Sequence, residues 1–570
     1  MNCQEFPIAN TPMLNLYPDS LGGSLADAVS FLKREEVLGA FSSLYILPSI
    51  FNSDVDRGFS VISYELNELF ATSGDLKAIK ALGIELKLDF ILNHISILSE
   101  QFQDILRRGE ASACRDFFID WNRFWAGYGQ MTDGGYIQPD ETYLKDMFIR
   151  KPGLPLLMVD MPDGSRKPYW NTFQQEIQWP RLETQDLMRA ANMQYASARE
   201  LAALVNEGLD AGRQPEDIPM GRFEHARQFV NKLLQSGKKY LGQMDLNVES
   251  PMVWEYYRHT LNLLANYGTR IIRLDAFAYA HKRPGAHNFL NEPETWDLLA
   301  RINEMAGSHH LLLLPEIHAS YGDHVHDKIA LQGFLCYDFF LPGIILDALE
   351  RGKGELIAQW ANELQDKGIH AVNMLGCHDG IPLMDLRGLM PDERINSLVD
   401  TVVSRGGLLI SVNRQKNIYY QVNATYFSAL GENIHKMLLA RALQLFMPGK
   451  PQIWYLDLFA GRNDFEAVSH AGSDSLRDIN RSNLSQFDLE QGLKQALVRD
   501  QLSLLRFRNT FPAFGFDSNL KVDVSDDKII SFRWDHQHCT AMMNADLAKC
   551  TFDISGIDQD RKIIYRFEQA

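Results

Sequence analysis

Cysteine is scarce in this 570-residue sequence, and what there is lies scattered: Cys3, Cys114, Cys336, Cys377, Cys539 and Cys550. No pair has C-x-x-C or other metal-ligand spacing, so a zinc ribbon and a thioredoxin-type redox motif are excluded, and free thiols in a reducing compartment are expected. Positive charge is in deficit too. The 56 Lys and Arg residues face 73 Asp and Glu residues, for a formal charge of −17. That balance argues against a nucleic-acid partner, which needs clustered cations, and against an anionic membrane surface. No run of about 18 uncharged apolar residues occurs, so no transmembrane helix is expected. The opening MNCQEFPIANTPM lacks the basic and apolar regions of a secretory signal, which makes the cytoplasm the expected location. There is no G-x-G-x-x-G after a strand-like run and no P-loop, so no cofactor is expected. Internal repeats and low-complexity tracts are absent as well.

What the sequence does have is an ordinary globular composition, 45% hydrophobic and 23% charged, and a series of short apolar runs that turn polar at their C-terminal ends. These are SLYILP (43–48), ELKLDFILNH (85–94), RIIRLD (270–275), LLLLPEIH (311–318), LCYDFFLP (335–342), AVNMLGCHD (371–379) and QIWYL (452–456). Runs this apolar suit strands buried on both faces of a parallel sheet. Amphipathic stretches between them, such as 252–267 and 293–306, have helical periodicity. Strand and helix alternating over this length predict an α/β fold of the (β/α)8 TIM-barrel type. Barrel active sites lie at the C-terminal ends of the strands. Asp89, His94, Asp275, Glu316, His378 and Asp379 all fall in or just after those ends.

Retaining cleavage of a glycosidic bond needs two carboxyl groups roughly 5 Å apart, one attacking the sugar and one protonating the leaving oxygen. Asp275 follows Arg273 by two residues on a strand, so both side chains point the same way. The arginine should favour the ionised carboxylate a nucleophile requires. Glu316 follows the apolar LLLLP, where partial desolvation should raise its pKa and suit it as an acid. A structural ion pair inside the barrel is the competing reading of Arg273 and Asp275.

Four segments together then resemble the conserved motifs of the α-amylase superfamily: DFILNH (Asp89, Asn93, His94), GTRIIRLDA (Arg273, Asp275), LLPEIH (Glu316) and GCHD (His378, Asp379). Segments outside these four resemble the sucrose phosphorylase-like branch, a group of retaining glucoside phosphorylases. They are YPDSLGG, DRGF (56–59), PGLP (152–155), HDGI, YQVNATY (420–426), FMPGKPQIWY, AGRND and RDINR. The resemblance implies Asp275 as nucleophile, Glu316 as acid/base and Asp379 as transition-state stabiliser. It implies that Asp56, His94, Arg273, His378 and Arg477 line the glucose subsite, that Gln243 reaches the sugar, and that Phe59 and Phe173 offer apolar faces. Tyr279 and His318 would lie near the acid/base, with Tyr420 and Gln421 in the acceptor loop. Calcium-binding relatives place a ligand where Asn93 stands, but this branch generally lacks that ion, and no metal is expected. A homodimer occurs in relatives.

The acceptor is less constrained. Phosphate needs a cluster of cations or donors, for which Arg150, Lys151 and the Tyr420–Gln421 loop are available. Two departures bear on the leaving group. Sucrose phosphorylases resemble D-L-Y-Q-V-N in the acceptor loop, where this chain has Ile418-Tyr419-Tyr420-Gln421-Val422-Asn423, and Lys151 replaces the usual Arg before PGLP. Arg and Lys are not equivalent at a bidentate site. The resemblance makes sucrose the first expectation for the α-glucoside, with glucosylglycerol its closest rival and glucosylglycerate or sucrose 6-phosphate further options. A sucrose hydrolase or transglucosidase is the alternative activity, and a non-catalytic interaction protein a third reading. The expected organisation is barrel over 1–95, an inserted subdomain over 96–173, an extra helical insertion over 174–242, barrel over 243–379, an inserted acceptor-loop region over 380–431, barrel over 432–513 and a small β domain over 514–570.

Overall fold

The computed structural model describes residues 8–151, 153–413, 418–471 and 476–569, with the side chains of 410–413, 418–420, 470 and 471 outside the description. Eight short strands form its centre: β1 (Met13–Leu16), β2 (Ser43–Ile46), β3 (Glu85–Ile91), β4 (Thr269–Asp275), β5 (Leu312–Pro315), β6 (Cys336–Asp338), β7 (Ala371–Asn373) and β8 (Lys450–Trp454). They pair in parallel in the order β5-β4-β3-β2-β1-β8-β7-β6. Each neighbour is the next strand in the chain, and β5 packs beside β6 to close the ring. Helices such as Pro251–Asn266 and Glu294–Gly307 return the chain over the outside, the connection a parallel pair requires. The expected (β/α)8 barrel is therefore the fold.

Seven barrel strands coincide with the apolar runs. The eighth, β1, is too short and too ordinary in composition to stand out: MLNL is four residues long and fully buried, Asn15 included. Register between β3 and β4 sets Arg273 opposite Asp89 and Asp275 opposite Ile91. Between β4 and β5 it sets Leu274 opposite Pro315. Three adjacent strand ends thus deliver Asp89, Arg273, Asp275 and Glu316 to one mouth of the barrel.

Two excursions leave the barrel between β3 and β4. The first carries antiparallel pairs Gly129–Met131 with Ile137–Pro139 and Leu156–Asp160 with Arg166–Trp170, around a core containing Trp121, Trp125 and Trp170. The second opens and closes on the pair Gln175–Gln178 and Lys239–Asp245. It contains helices Thr184–Ala191, Tyr195–Asp210 and Arg227–Gly237, which bury a core of their own that includes Leu187, Leu201, Val205, Val230 and Leu234. Past the barrel, a five-stranded antiparallel sheet runs from Asn519 to Gln569. Four of its strands match alternating runs in the sequence. The first, Asn519–Asp526, reads NLKVDVSD, too charged to be distinguished from a loop. No helix among the described residues is long and apolar enough to cross a membrane.

Candidate active site

A cavity of 460 Å³ opens at the C-terminal ends of the barrel strands, within the size range of small-molecule sites. Asp275, Glu316, Asp379, Asp56, Phe59, His94, Arg150, Phe173, Gln243, Tyr279, His318, His378, Gln421 and Arg477 all line it. They converge there from positions more than 400 residues apart in the chain.

The centre of the site is one buried guanidinium. Arg273, 3% exposed, lies under the floor of the cavity rather than on its wall, a correction to its expected place among the lining residues. Its Nη1 contacts Asp275 Oδ1 at 2.8 Å and Asp89 Oδ1 at 2.5 Å, and its Nη2 contacts Glu316 Oε1 at 2.7 Å. Both carboxyls of the expected pair are therefore held by the two ends of a single planar group. Ala276, in the left-handed region at φ 51°, turns its N–H to Glu316 Oε2 at 3.3 Å. Tyr45 Oη donates to Asp89 at 3.0 Å from below.

The protonation pattern differs from the sequence expectation. Burial pushes the Asp275 carboxyl well above the usual range; Arg273 offsets this in part, and the neighbouring Glu316 charge adds to it. Glu316 is also pushed up by burial, but Arg273 and His318 outweigh that and hold it well below the usual range. Arg273 and His318 thus favour ionisation of Glu316, while burial and the Glu316 and Asp89 charges oppose that of Asp275. The two carboxyls share this cation and act on one another, so they titrate as a pair.

Around this centre, Asp379 follows β7. Burial raises its carboxyl, but Arg477, His378 and Arg481 hold it far below the usual range. Arg477 Nε lies 3.2 Å and His378 Nε2 3.2 Å from its oxygens. Asn480 Nδ2 donates to the Asp379 carbonyl at 2.8 Å, and Arg481 Nε to that of His378 at 2.8 Å, fixing this turn. Asp56 reaches the same pocket from a strained loop, with Asp56 at φ 55°, Arg57 at 46° and Gly58 at 110°. Gly58 admits no side chain, since a Cβ there would come within 2.1 Å of Ser49 N. Strain of this kind costs about 1–3 kcal/mol per residue and concentrates at functional sites. Gln243 Nε2 donates to the Phe59 carbonyl at 3.2 Å, and His94 Nε2 lies 3.0 Å from the same oxygen. Phe59 stacks on His378 with centroids 4.9 Å apart. Burial keeps both imidazoles neutral, with His94 lowered to about 4 and His378 to about 3.

On the outer side, Phe173 meets Tyr279 edge-on at 5.2 Å, and the Arg150 guanidinium lies over both rings at 5.6 and 5.9 Å. Lys151 does not line the cavity: it turns inward to Asn171 Oδ1, and burial lowers it to about 8. The Tyr420 side chain and Pro152 of the PGLP segment lie outside the described residues. Asn93 Oδ1 accepts from a lysine. The buried Lys282 ammonium donates to Asn93 Oδ1 at 2.8 Å and to the Tyr279 carbonyl at 2.6 Å, and pairs with Asp245 at 2.7 Å. Sequence reasoning missed Asp385, His287 and Arg387, which also line the cavity. Asp385 stands six residues beyond Asp379, in HDGIPLMD, and only its bond to His318 Nδ1 at 2.9 Å marks it out.

The chain is 45% identical over 557 residues, covering 96% of each sequence, to the sucrose 6(F)-phosphate phosphorylase of Ilumatobacter coccineus. It is 30% identical over 534 residues, covering 92% of each, to the sucrose phosphorylase of Streptococcus mutans. Among solved structures, the sucrose 6F-phosphate phosphorylase from Thermoanaerobacter thermosaccharolyticum matches with a TM-score of 0.81 at 29% identity, covering 100% of this chain and 99% of that one. No family model matches. With the barrel, the guanidinium-bridged carboxyls and this full-length similarity in hand, the chain belongs to the sucrose phosphorylase-like branch of the α-amylase superfamily.

Proposed function

We propose that this protein is a retaining α-glucoside phosphorylase whose preferred glucoside is sucrose 6F-phosphate. The observation that carries the reading is the 45% identity over nearly the whole chain to an enzyme of that name. A wall of nitrogen-bearing side chains supports it: Arg150, His287 and Arg387 line the outer cavity, where the phosphate of a fructose 6-phosphate leaving group would need cations. Sucrose itself was the first expectation from the sequence. The lower identity to the Streptococcus mutans enzyme makes it the second reading.

In this reading the glucosyl unit sits in the deep half of the cavity. Asp56, Arg477, Asp379, His94, His378 and Gln243 face its hydroxyls, with Phe59 beside the ring. Glu316 carries the proton of the carboxyl pair when the sugar is bound. Asp275 then attacks C1 as the C1–O bond breaks and Glu316 protonates the departing oxygen. Phosphate attacks the resulting glucosyl ester on the face the leaving group vacated, giving α-glucose 1-phosphate and releasing the Asp275 carboxylate, and Glu316 regains its proton from solvent before the next turn. Asp379, held ionised by Arg477 and Arg481, stabilises positive charge on the ring in both steps.

The test is a donor screen with inorganic phosphate, reading glucose 1-phosphate. Sucrose 6F-phosphate should give the highest kcat/KM, ahead of sucrose and 2-O-α-glucosylglycerol. A higher value for sucrose selects the second reading. Release of free glucose that ignores phosphate, with no glucose 1-phosphate from any donor, makes the protein a hydrolase.

A further inference from the structure

His318 is gripped by two carboxyls. Its Nδ1 lies 2.9 Å from Asp385 Oδ2, and its Nε2 faces Glu316 Oε1 at 3.6 Å. Its ring stacks on Phe339 with centroids 3.9 Å apart, which fixes the plane in which the nitrogens point. Asp385 belongs to the short turn Leu383–Leu386, is 5% exposed and forms part of the cavity wall. Asp323 adds negative charge behind Asp385, and Arg273 and Asp379 act on Glu316. With a carboxylate oxygen at each ring nitrogen, His318 satisfies both only when both nitrogens carry protons.

The two nucleophiles able to resolve the glucosyl ester make opposite demands on Glu316. When water attacks, its O–C1 bond forms as the C1–O bond to Asp275 breaks, and a proton must leave. Glu316 takes that proton, so hydrolysis needs Glu316 to be basic. Hydrogen phosphate dianion is already an anionic nucleophile. Its attack releases the Asp275 carboxylate and yields the glucose 1-phosphate monoanion. Charge is conserved, and no proton passes to Glu316. A cation held against Glu316 lowers its basicity, which slows water, and attracts the dianion.

We propose that Asp385 is a positioning residue that selects phosphate over water, by holding His318 as an imidazolium against Glu316. The inference rests on the phosphorylase reading above. Burial alone would discharge the ring, but Asp385 and Glu316 together raise His318 to about 9.

The experiment uses α-D-glucosyl fluoride as donor, because fluoride leaves without occupying the acceptor side. Glucose 1-phosphate and glucose are measured together over a range of phosphate concentrations. In Asp385→Asn the ratio of glucose 1-phosphate to glucose should fall about tenfold, the effect of one pKa unit in Glu316 basicity, with a raised KM for phosphate. Asp385→Glu should recover most of the ratio. In the wild type the ratio should decline as pH rises through about 9, and in Asp385→Asn that decline should move to lower pH. His318→Gln should lower the ratio as Asp385→Asn does, and it serves where Asp385→Asn fails to fold. An unchanged ratio and pH midpoint in a folded Asp385→Asn, or an unchanged ratio in His318→Gln, overturns the proposal while leaving the phosphorylase reading intact. A wild type that makes no glucose 1-phosphate from glucosyl fluoride overturns both.

Discussion

Arg273 meets three carboxyl groups with its two terminal nitrogens, and that shared cation organises the site. A lysine would bring one point charge where the guanidinium spans Asp89, Asp275 and Glu316, and so could not hold the two reactive carboxyls at fixed separation. Arg273→Lys should therefore lower kcat by about 10²–10³-fold, the range for losing a preorganised donor, with a smaller effect on donor KM. Steady-state kinetics check this, and an unchanged kcat would contradict it. Lys282 does a structural job of the same kind. Its ammonium is the cation for the fully buried Asp245 and ties Asn93 to the Tyr279 carbonyl. Lys282→Met should destabilise the protein by about 3–5 kcal/mol, the cost of leaving one partner of a buried pair uncompensated. Urea unfolding measures it, and a loss under 1 kcal/mol would mean that water or another group takes over the charge.

The elements divide into those a strand-end rule could find and those it could not. Asp275 and Glu316 were legible because each ends an apolar run, and His94 and His378 because a motif surrounds them. Strand β1 was not legible: four buried residues have no periodicity to read, and its place between β2 and β8 is settled by long-range pairing. Asp385, His287 and Arg387 were invisible for a related reason. They sit in loops, and only the closed barrel brings them to the cavity. A strand pattern shows Arg273 beside Asp275 but not that Asp89 and Glu316 meet the same guanidinium, so the electrostatics of the carboxyl pair were not legible. The helical insertion was visible as an amphipathic stretch, and its independence lies in the structure. It packs its own core and returns to the barrel through the pair Gln178 and Lys239. Replacing 179–238 by a short hairpin turn should leave the barrel folded, with a far-UV circular dichroism spectrum reduced only by the excised helices. Insoluble or unfolded product would show that this lobe is part of the barrel's folding unit.

For the whole molecule, fold and chemistry are one argument. A barrel of consecutive parallel strands gathers its C-terminal ends at one mouth. The first inserted segment lines that mouth through Phe148, Arg150 and Phe173, and the reactive groups arrive from strands β4, β5 and β7. An acidic molecule has to make its own local positive field if it is to receive phosphate, and Arg150, Arg477, His318 and Arg387 around the cavity are where that field is made. The claim beneath all of this is that Asp275 and Glu316 act on one sugar carbon in two displacements. Proton NMR of the sugar phosphate as it forms tests that claim most directly. The account predicts the α anomer of glucose 1-phosphate as first product from an α-glucoside and inorganic phosphate; first appearance of the β anomer would mean a single displacement and would contradict it.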